Sequence, residues 1–258
     1  MIEEPYRWLE AVQNRREYIE DQLRGAAPVV AVSGEPGVLL VAGKASTPKV
    51  FEVYDHLALG AVGHPADVEK IRQTAIEAAH VEGFSRSRAD VSARRIVSYG
   101  LAGALKSAFE QIFSAPLLFR GILVELGSSP SADQAWLLEY DGGYAGLEPE
   151  QLRRGVLFGA RKDLSSVWQE ESRKSPPPSA KDWKELAGHA LRVLAWSAQA
   201  EGEKRVPWAQ FAPPKDWLAP RLCDRFEVGA LSREVAAQGG PAFLVPEAQQ
   251  LGWPEEKE

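Results

Sequence analysis

The sequence predicts an α+β fold: a four-layer αββα sandwich, two antiparallel sheets between two helical layers, with an extra helix at the N-terminus. Three observations carry this expectation. Short β-branched runs come in blocks, long amphipathic stretches fall between the blocks, and the turns within blocks are tight and glycine-rich. Strands and helices segregated in this way build layers, whereas βαβ units would alternate throughout.

The elements follow in order. Residues 6–24 space Trp8, Leu9, Val12, Tyr18, Ile19 and Leu23 as a helical stripe, leave Arg15, Arg16 and Glu20 for the surface, and stop at Gly25. Val29-Val30-Ala31-Val32 and Val38-Leu39-Leu40-Val41-Ala42 flank Gly34-Glu35-Pro36-Gly37, which reads as strand, tight turn, strand. Two more strands are expected at 49–54 and 56–62, the second ending at Gly63. Helices follow at 65–83, with Pro65 in a first turn where its missing N–H costs little, and at 90–113. The second of these has Asp90 or a serine as cap and Ile96, Val97, Leu101, Leu105, Phe109 and Phe113 on one face. Strands return at 117–127, 135–140 and 156–158, and Asp141-Gly142-Gly143 is a hairpin turn whose two glycines both accept positive φ. A helix at 162–171 leads into the stiff run Ser175-Pro176-Pro177-Pro178-Ser179. A third long helix is expected at 181–200, then an irregular Pro- and Trp-rich insertion at 201–220. A strand pair at 226–231 and 243–245 and a short helix at 247–251 close the chain. All of this reads as one domain over 1–258: a leading helix (6–24), a core (28–200), the insertion (201–220) and a closing segment (221–252).

Bulk properties exclude several classes of function. The 258 residues carry a net charge of −6, which disfavours a nucleic-acid surface without excluding a local basic patch. No run of about 18 apolar residues is present, so no membrane partner is expected. Met1-Ile2-Glu3-Glu4 is acidic with no apolar segment, so no secretory signal is expected. The single cysteine, Cys223, fits a reducing cytoplasm and reads as a small buried hydrophobe rather than a nucleophile. His56, His64, His80 and His189 have no metal-ligand spacing, and Gly34–Gly37 lacks the lysine and helix of a phosphate loop. No metal and no cofactor are expected.

Several segments carry a resemblance. The hairpin around Gly37 and the run Pro48-Lys49-Val50-Phe51-Glu52-Val53-Tyr54-Asp55-His56-Leu57-Ala58-Leu59-Gly60-Ala61-Val62-Gly63 resemble the proteasome subunit family. Ser87-Arg88-Ala89-Asp90-Val91 is similar to the segment between the first two long helices of actinobacterial α-type subunits. Phe226-Glu227-Val228-Gly229-Ala230-Leu231 and Phe243-Leu244-Val245 fall where that family places its last strands. The resemblance spans residues 14–252; of the archaeal and eukaryotic α signature only Pro5-Tyr6 stands in place, which favours a bacterial type. It implies the N-terminal-nucleophile hydrolase fold and an α-type subunit of a 20S proteasome. Such a subunit forms a heptameric ring with copies of itself, caps rings of β-type subunits and docks an AAA+ ATPase.

Catalysis in this family requires a threonine at a processed N-terminus, whose free amine (pKa about 8) serves as the base. Aligned on Gly37, that slot falls near Ala27, and the acidic position ending the second strand is Gly43. The only threonines are Thr47 and Thr74. No catalytic residue is therefore assigned, and the chain is expected not to cleave peptides. By resemblance Lys49 matches the lysine that pairs with the C-terminal carboxylate of an activating ATPase; the other reading is a solvated lysine at a strand start. Gly63 flanks the same pocket or is an ordinary turn glycine, and Lys44 lines it or is a surface lysine. Met1, Ile2, Glu3, Glu4, Pro5 and Tyr6 stand at the expected gate. Trp208 and Trp217 either anchor the insertion or form a partner surface. Two rivals stand beside this reading: a self-assembling ring without a catalytic partner, and a self-processing hydrolase using Ser33 or another residue.

Overall fold

The computed structural model describes residues 5–159, 162–199, 205–214 and 225–253. Helix α1 (Pro5–Leu23) precedes β1 (Val29–Gly34), β2 (Gly37–Gly43), β3 (Val50–Tyr54) and β4 (Leu57–Gly63). Helix α2 (Pro65–Ser85) is followed by α3 (Ala93–Arg95), a π-helical turn (Ile96–Leu101) and α4 (Ala102–Glu110). The second block holds β5 (Phe119–Glu125), β6 (Gln134–Glu139), β7 (Tyr144–Leu147), α5 (Pro149–Arg154) and β8 (Val156–Phe158). Helices α6 (Lys162–Arg173) and α7 (Trp183–Ser197) lead to β9 (Phe226–Ser232), α8 (Arg233–Ala237) and β10 (Phe243–Leu244).

The strands form two five-stranded antiparallel sheets, β10-β9-β2-β1-β8 (sheet A) and β3-β4-β5-β6-β7 (sheet B). Strands β1 and β2 are unbroken apolar runs because both of their faces are covered. Val29, Ala31, Val38 and Leu40 meet Ala58, Val62, Ile122 and Val124 of sheet B. Val30, Val32, Leu39 and Val41, pointing the other way, meet Leu186, Ala190 and Trp168 of α6 and α7. On the far side of sheet B, Leu57, Leu59 and Leu123 pack on Ile71, Ala75, Val97 and Leu105 of the α2–α4 region. Each fully buried Val or Leu contributes about 2 kcal/mol. A one-residue register slip would turn one apolar set onto the wrong face, so the pairing is strongly specified.

Helix α1 packs differently from its expected stripe. Ile19 and Leu23 are buried with Phe109 and Tyr140, but Trp8, Leu9 and Tyr18 are exposed. The residues expected at the surface do the anchoring instead. Arg15, 8% exposed, donates to Ser114 O (2.8 Å) and Ala108 O (3.0 Å), capping the end of α4. Glu20 accepts from Arg120 Nη2 (2.9 Å) and from the Tyr140 hydroxyl (3.0 Å), while Arg120 Nε donates to Glu139 (2.8 Å) and Nη1 to Gly159 O (2.8 Å). Positions 12, 15, 19 and 23 share one face of a 3.6-residue helix; the apolar spacing alone did not show that polar residues would fill part of it. Burial and the Glu20 carboxylate push the Tyr140 phenol above its ordinary range, so it remains a donor.

Other boundaries moved for identifiable reasons. The helix expected over 90–113 begins at Ala93, and its cap comes from another element: Ala93 N–H donates to Glu125 Oε2 on β5 (2.7 Å). Burial pushes the Glu125 carboxyl above its ordinary value, a rise that the same hydrogen bond opposes. The turn after β6 is a type I turn with a glycine bulge. Gly142 N–H donates to Glu139 O, Glu139 N–H donates to Gly143 O, and only Gly142 takes positive φ (+82°). Glu148 and Gln151 form a capping box that starts α5, an unanticipated helix, and 247–251 forms turns rather than a helix. Helix α7 starts two residues inside the expected range, at Trp183, because Asp182 caps it, accepting from Glu185 N–H (2.8 Å).

Within the insertion, Trp208 is buried (6% exposed) against Trp168, edge to face at 4.9 Å, and under the Arg192 guanidinium at 4.0 Å. Trp208 thus anchors its segment to the body. Trp217 and Cys223, like 201–204 and the rest of 215–220, lie outside the described residues. His189 sits beside Trp208 (5.7 Å) and its Nε2 bonds Arg154 O (2.9 Å), so that nitrogen carries the proton. Burial depresses its pKa below 6.5. A depressed pKa means that its share of stability is complete above pH 6.5 and is lost as pH falls from there through the folded-state value. Thermal midpoints measured from pH 7.5 down to 5 should therefore fall less steeply for His189→Gln than for the unmodified chain; parallel slopes would refute this.

Candidate functional site

Three strand ends converge at one edge of the two sheets: the start of β1, the end of β2 and the start of β3. Lys49 stands between them, half-buried. Its Nζ donates to Ala27 O (3.2 Å) and to Gly43 O (3.2 Å). The ammonium thus bridges two strand ends. Burial lowers its pKa, and the Glu227 carboxylate acts in the opposite direction. Glu227, on β9, accepts the backbone N–H groups of both Lys49 (2.9 Å to Oε2) and Val50 (3.0 Å to Oε1), which fixes where β3 begins. Nothing in the reading of the sequence singled out Glu227. The available signal was an acid flanked by Phe226 and Val228 in an otherwise apolar strand.

The same notch holds the two positions from which catalytic groups were missing. A Cβ built on Gly43 would lie 3.4 Å from the Ala27 Cβ, so the two face each other. Ala27 offers only a methyl group, Gly43 no side chain, and Lys49 has no hydroxyl between them to activate. Ser33, the residue of the rival hydrolase reading, is 1% exposed at the far end of β1. Its hydroxyl donates to Asp133, which also pairs with Arg233. That hydroxyl is committed to a buried ion pair and stands at no chain end.

Lys49 and Gly63 line one cavity of about 160 Å³, together with Thr47, Pro48, Phe51 and Glu69. Gly63 is there for a backbone reason: its φ is +149° and a Cβ would lie 1.9 Å from Leu118 O. Lys44 lines a separate cleft of about 640 Å³ toward Phe243 and Trp253, which shares Pro48 and Phe51 as walls with the first. The structure thus joins Lys49 with Gly63 and puts Lys44 next door. Met1, Ile2, Glu3 and Glu4 lie outside the described residues, and Pro5 and Tyr6 open α1. Among the described residues no cluster of His, Cys, Asp or Glu could hold a metal, and no helix is long and apolar enough to cross a membrane.

No family profile matches the chain. Individual relatives do. The chain is similar to the proteasome subunit alpha of Rhodococcus jostii, 29% identical over 241 residues that cover 90% of this chain and 88% of that one. Other proteasome subunit alpha proteins are similar to it over shorter stretches. The chain is 30% identical over 172 residues to the proteasome subunit alpha of Actinosynnema mirum, covering 66% of this chain and 63% of the relative. With that of Xylanimonas cellulosilytica it shares 29% over 164 residues, covering 62% and 65%. In the last two the match spans just under two thirds of the relative's length. At the notch the structure brings together the Ala27 methyl group, Gly43 and the Lys49 ammonium.

Proposed function

We propose that the chain is a non-catalytic α-type subunit of a 20S proteasome, a ring component that gates and docks rather than cleaves. The observation that carries this reading is the notch: Ala27 and Gly43 face each other beneath the Lys49 ammonium, with an alanine where the family's reactive threonine would stand. The docking of α1 through Arg15 and Glu20 supports a leading helix that is kept, not removed as a propeptide. Helices on the outer faces of two stacked sheets support the four-layer N-terminal-nucleophile hydrolase fold. The names of the relatives support the α assignment.

On this reading the chain assembles as a heptameric ring in the cytoplasm, stacks on β-type rings that carry the threonine, and restricts access to their chamber with the segment from Met1 to Tyr6. The cavity of Lys49 and Gly63 receives the C-terminal carboxylate of an AAA+ ATPase, since a half-buried ammonium forms a stronger charge-assisted bond than an exposed one. Lys44 borders that site. The reading is tested by co-expressing the chain with a β-type partner that carries a processed threonine. Peptidase activity that appears only in the mixture is expected; rings that form without recruiting the partner would favour the catalyst-free scaffold instead. In the active mixture, Lys49→Ala should retain assembly and basal peptidase activity and lose ATPase-stimulated degradation; undiminished stimulation would remove Lys49 from docking.

A further inference from the structure

The outer edge of sheet B is open. Strand β7 (Tyr144–Leu147) is an edge strand, and among the described residues no strand pairs with its outer side. Tyr144, Ala145 and Gly146 are exposed. The glycine-bulge hairpin sets which backbone groups face outward. Glu139 and Gly143 share the first ladder bond, so alternation makes Leu137 and Ala145 the next hydrogen-bonded pair. The N–H and C=O groups of Tyr144 and Gly146 therefore point away from β6.

A cleft of about 630 Å³ adjoins this edge on its helix-covered face, lined by Arg94, Arg95, Ser98, Tyr99, Trp136 and Tyr144. The π-helical turn presents Tyr99 to solvent, 82% exposed, where an α-helix would run on regularly. Trp136 lies across Gly146, whose missing side chain makes room for it: a Cβ there would meet the indole at 3.0 Å. The Trp136 Nε1 has no hydrogen-bond partner among the described residues. Two arginines, Arg94 and Arg95, line the cleft. Residues 85–95 contain Arg86, Arg88, Arg94 and Arg95 against one acid, Asp90, in a chain whose net charge is −6. Arg88 pairs with Asp55, and Arg86 and Arg95 share Glu82, whereas Arg94 forms no ion pair among the described residues.

We propose that the edge of β7 and this cleft take up an extended, acidic segment of a partner polypeptide as a sixth strand of sheet B. Main-chain bonds to Tyr144 and Gly146 supply the register. Alternate side chains of the added strand turn toward Arg94, Arg95 and the Tyr99–Trp136–Tyr144 aromatic wall, which selects carboxylates. Exposed edge strands pair readily unless they are blocked, and β7 carries no proline, lysine or other charged residue.

The probe is a fluorescein-labelled heptapeptide, Glu-Val-Glu-Tyr-Glu-Val-Glu, whose carboxylates all fall on one face of a strand, compared with its counterpart bearing lysine at every glutamate. Saturable anisotropy with the acidic peptide alone is expected. Arg94→Glu and Tyr144→Pro should each weaken it by about fivefold or more; the proline removes an outward N–H, which an edge strand tolerates, and with it the Tyr144 ring of the aromatic wall. Absent or equal binding of the two peptides, indifference to both variants, or preferential binding of a short single-stranded RNA would overturn the proposal. So would a Tyr144→Pro variant that changed oligomeric state without changing peptide binding, since the edge would then belong to a second copy.

Discussion

Asp133→Ala should lower the unfolding free energy by about 3–5 kcal/mol, the cost of stranding one partner of a buried ion pair. Asp133 is fully buried and accepts four hydrogen bonds, from Gly127 N–H, the Ser33 hydroxyl and both arms of Arg233 at 2.7 Å each. The same guanidinium donates to Gly34 O and Gly127 O. One ion pair therefore ties the β1–β2 turn of sheet A, the loop after β5 of sheet B and the start of α8. Removing the carboxylate leaves a cation that is 15% exposed with only carbonyls around it. Urea midpoints measure the loss. Ser33→Ala, which removes a single neutral donor, should cost only about 1 kcal/mol and leave assembly unchanged. Equal losses for the two variants would show that the ion pair is not what the site depends on.

Arg120→Ala should be comparably severe, about 3 kcal/mol or more, and its first visible effect should be the release of α1. Arg120 is 4% exposed and joins Glu20 on α1, Glu139 on β6 and Gly159 O after β8. Its loss leaves two carboxylates near each other without the guanidinium between them, while the Tyr140 hydroxyl still donates to Glu20. Limited proteolysis should then cut between α1 and β1 before the body is degraded, with Arg120→Lys intermediate because a lysine keeps the charge but not the planar fork. If cleavage there is no faster than in the unmodified chain, α1 is held by Arg15 and by the apolar contacts of Ile19 and Leu23 rather than by Arg120.

Local chemistry made the strands legible in the sequence. Val, Leu and Ala runs interrupted by Gly34–Gly37 and Asp141–Gly143 leave few alternatives, and nine of the ten strands follow from them; β7 (Tyr144–Leu147), too short and glycine-containing to stand out, was not read. Polar residues whose partners lie far along the chain were not legible. Arg15 and Glu20 looked like surface charges because Ser114 and Arg120 are about 100 residues away. Glu125 could not be read as a helix cap, nor Glu227 as the clamp on Lys49, since neither stands beside what it holds. Lys49 itself was found by resemblance; its grip on Ala27 O and Gly43 O was visible only once the strand ends were in place.

The most direct test of a subunit that keeps its leading helix and cleaves nothing alone is to take the intact mass of the purified chain and assay it, unpartnered, on a fluorogenic peptide. The expected mass is that of the whole 28.3 kDa chain, with or without Met1, and the expected hydrolysis is none. A shortened product that begins near Ala27 and turns over the peptide unaided would contradict the account.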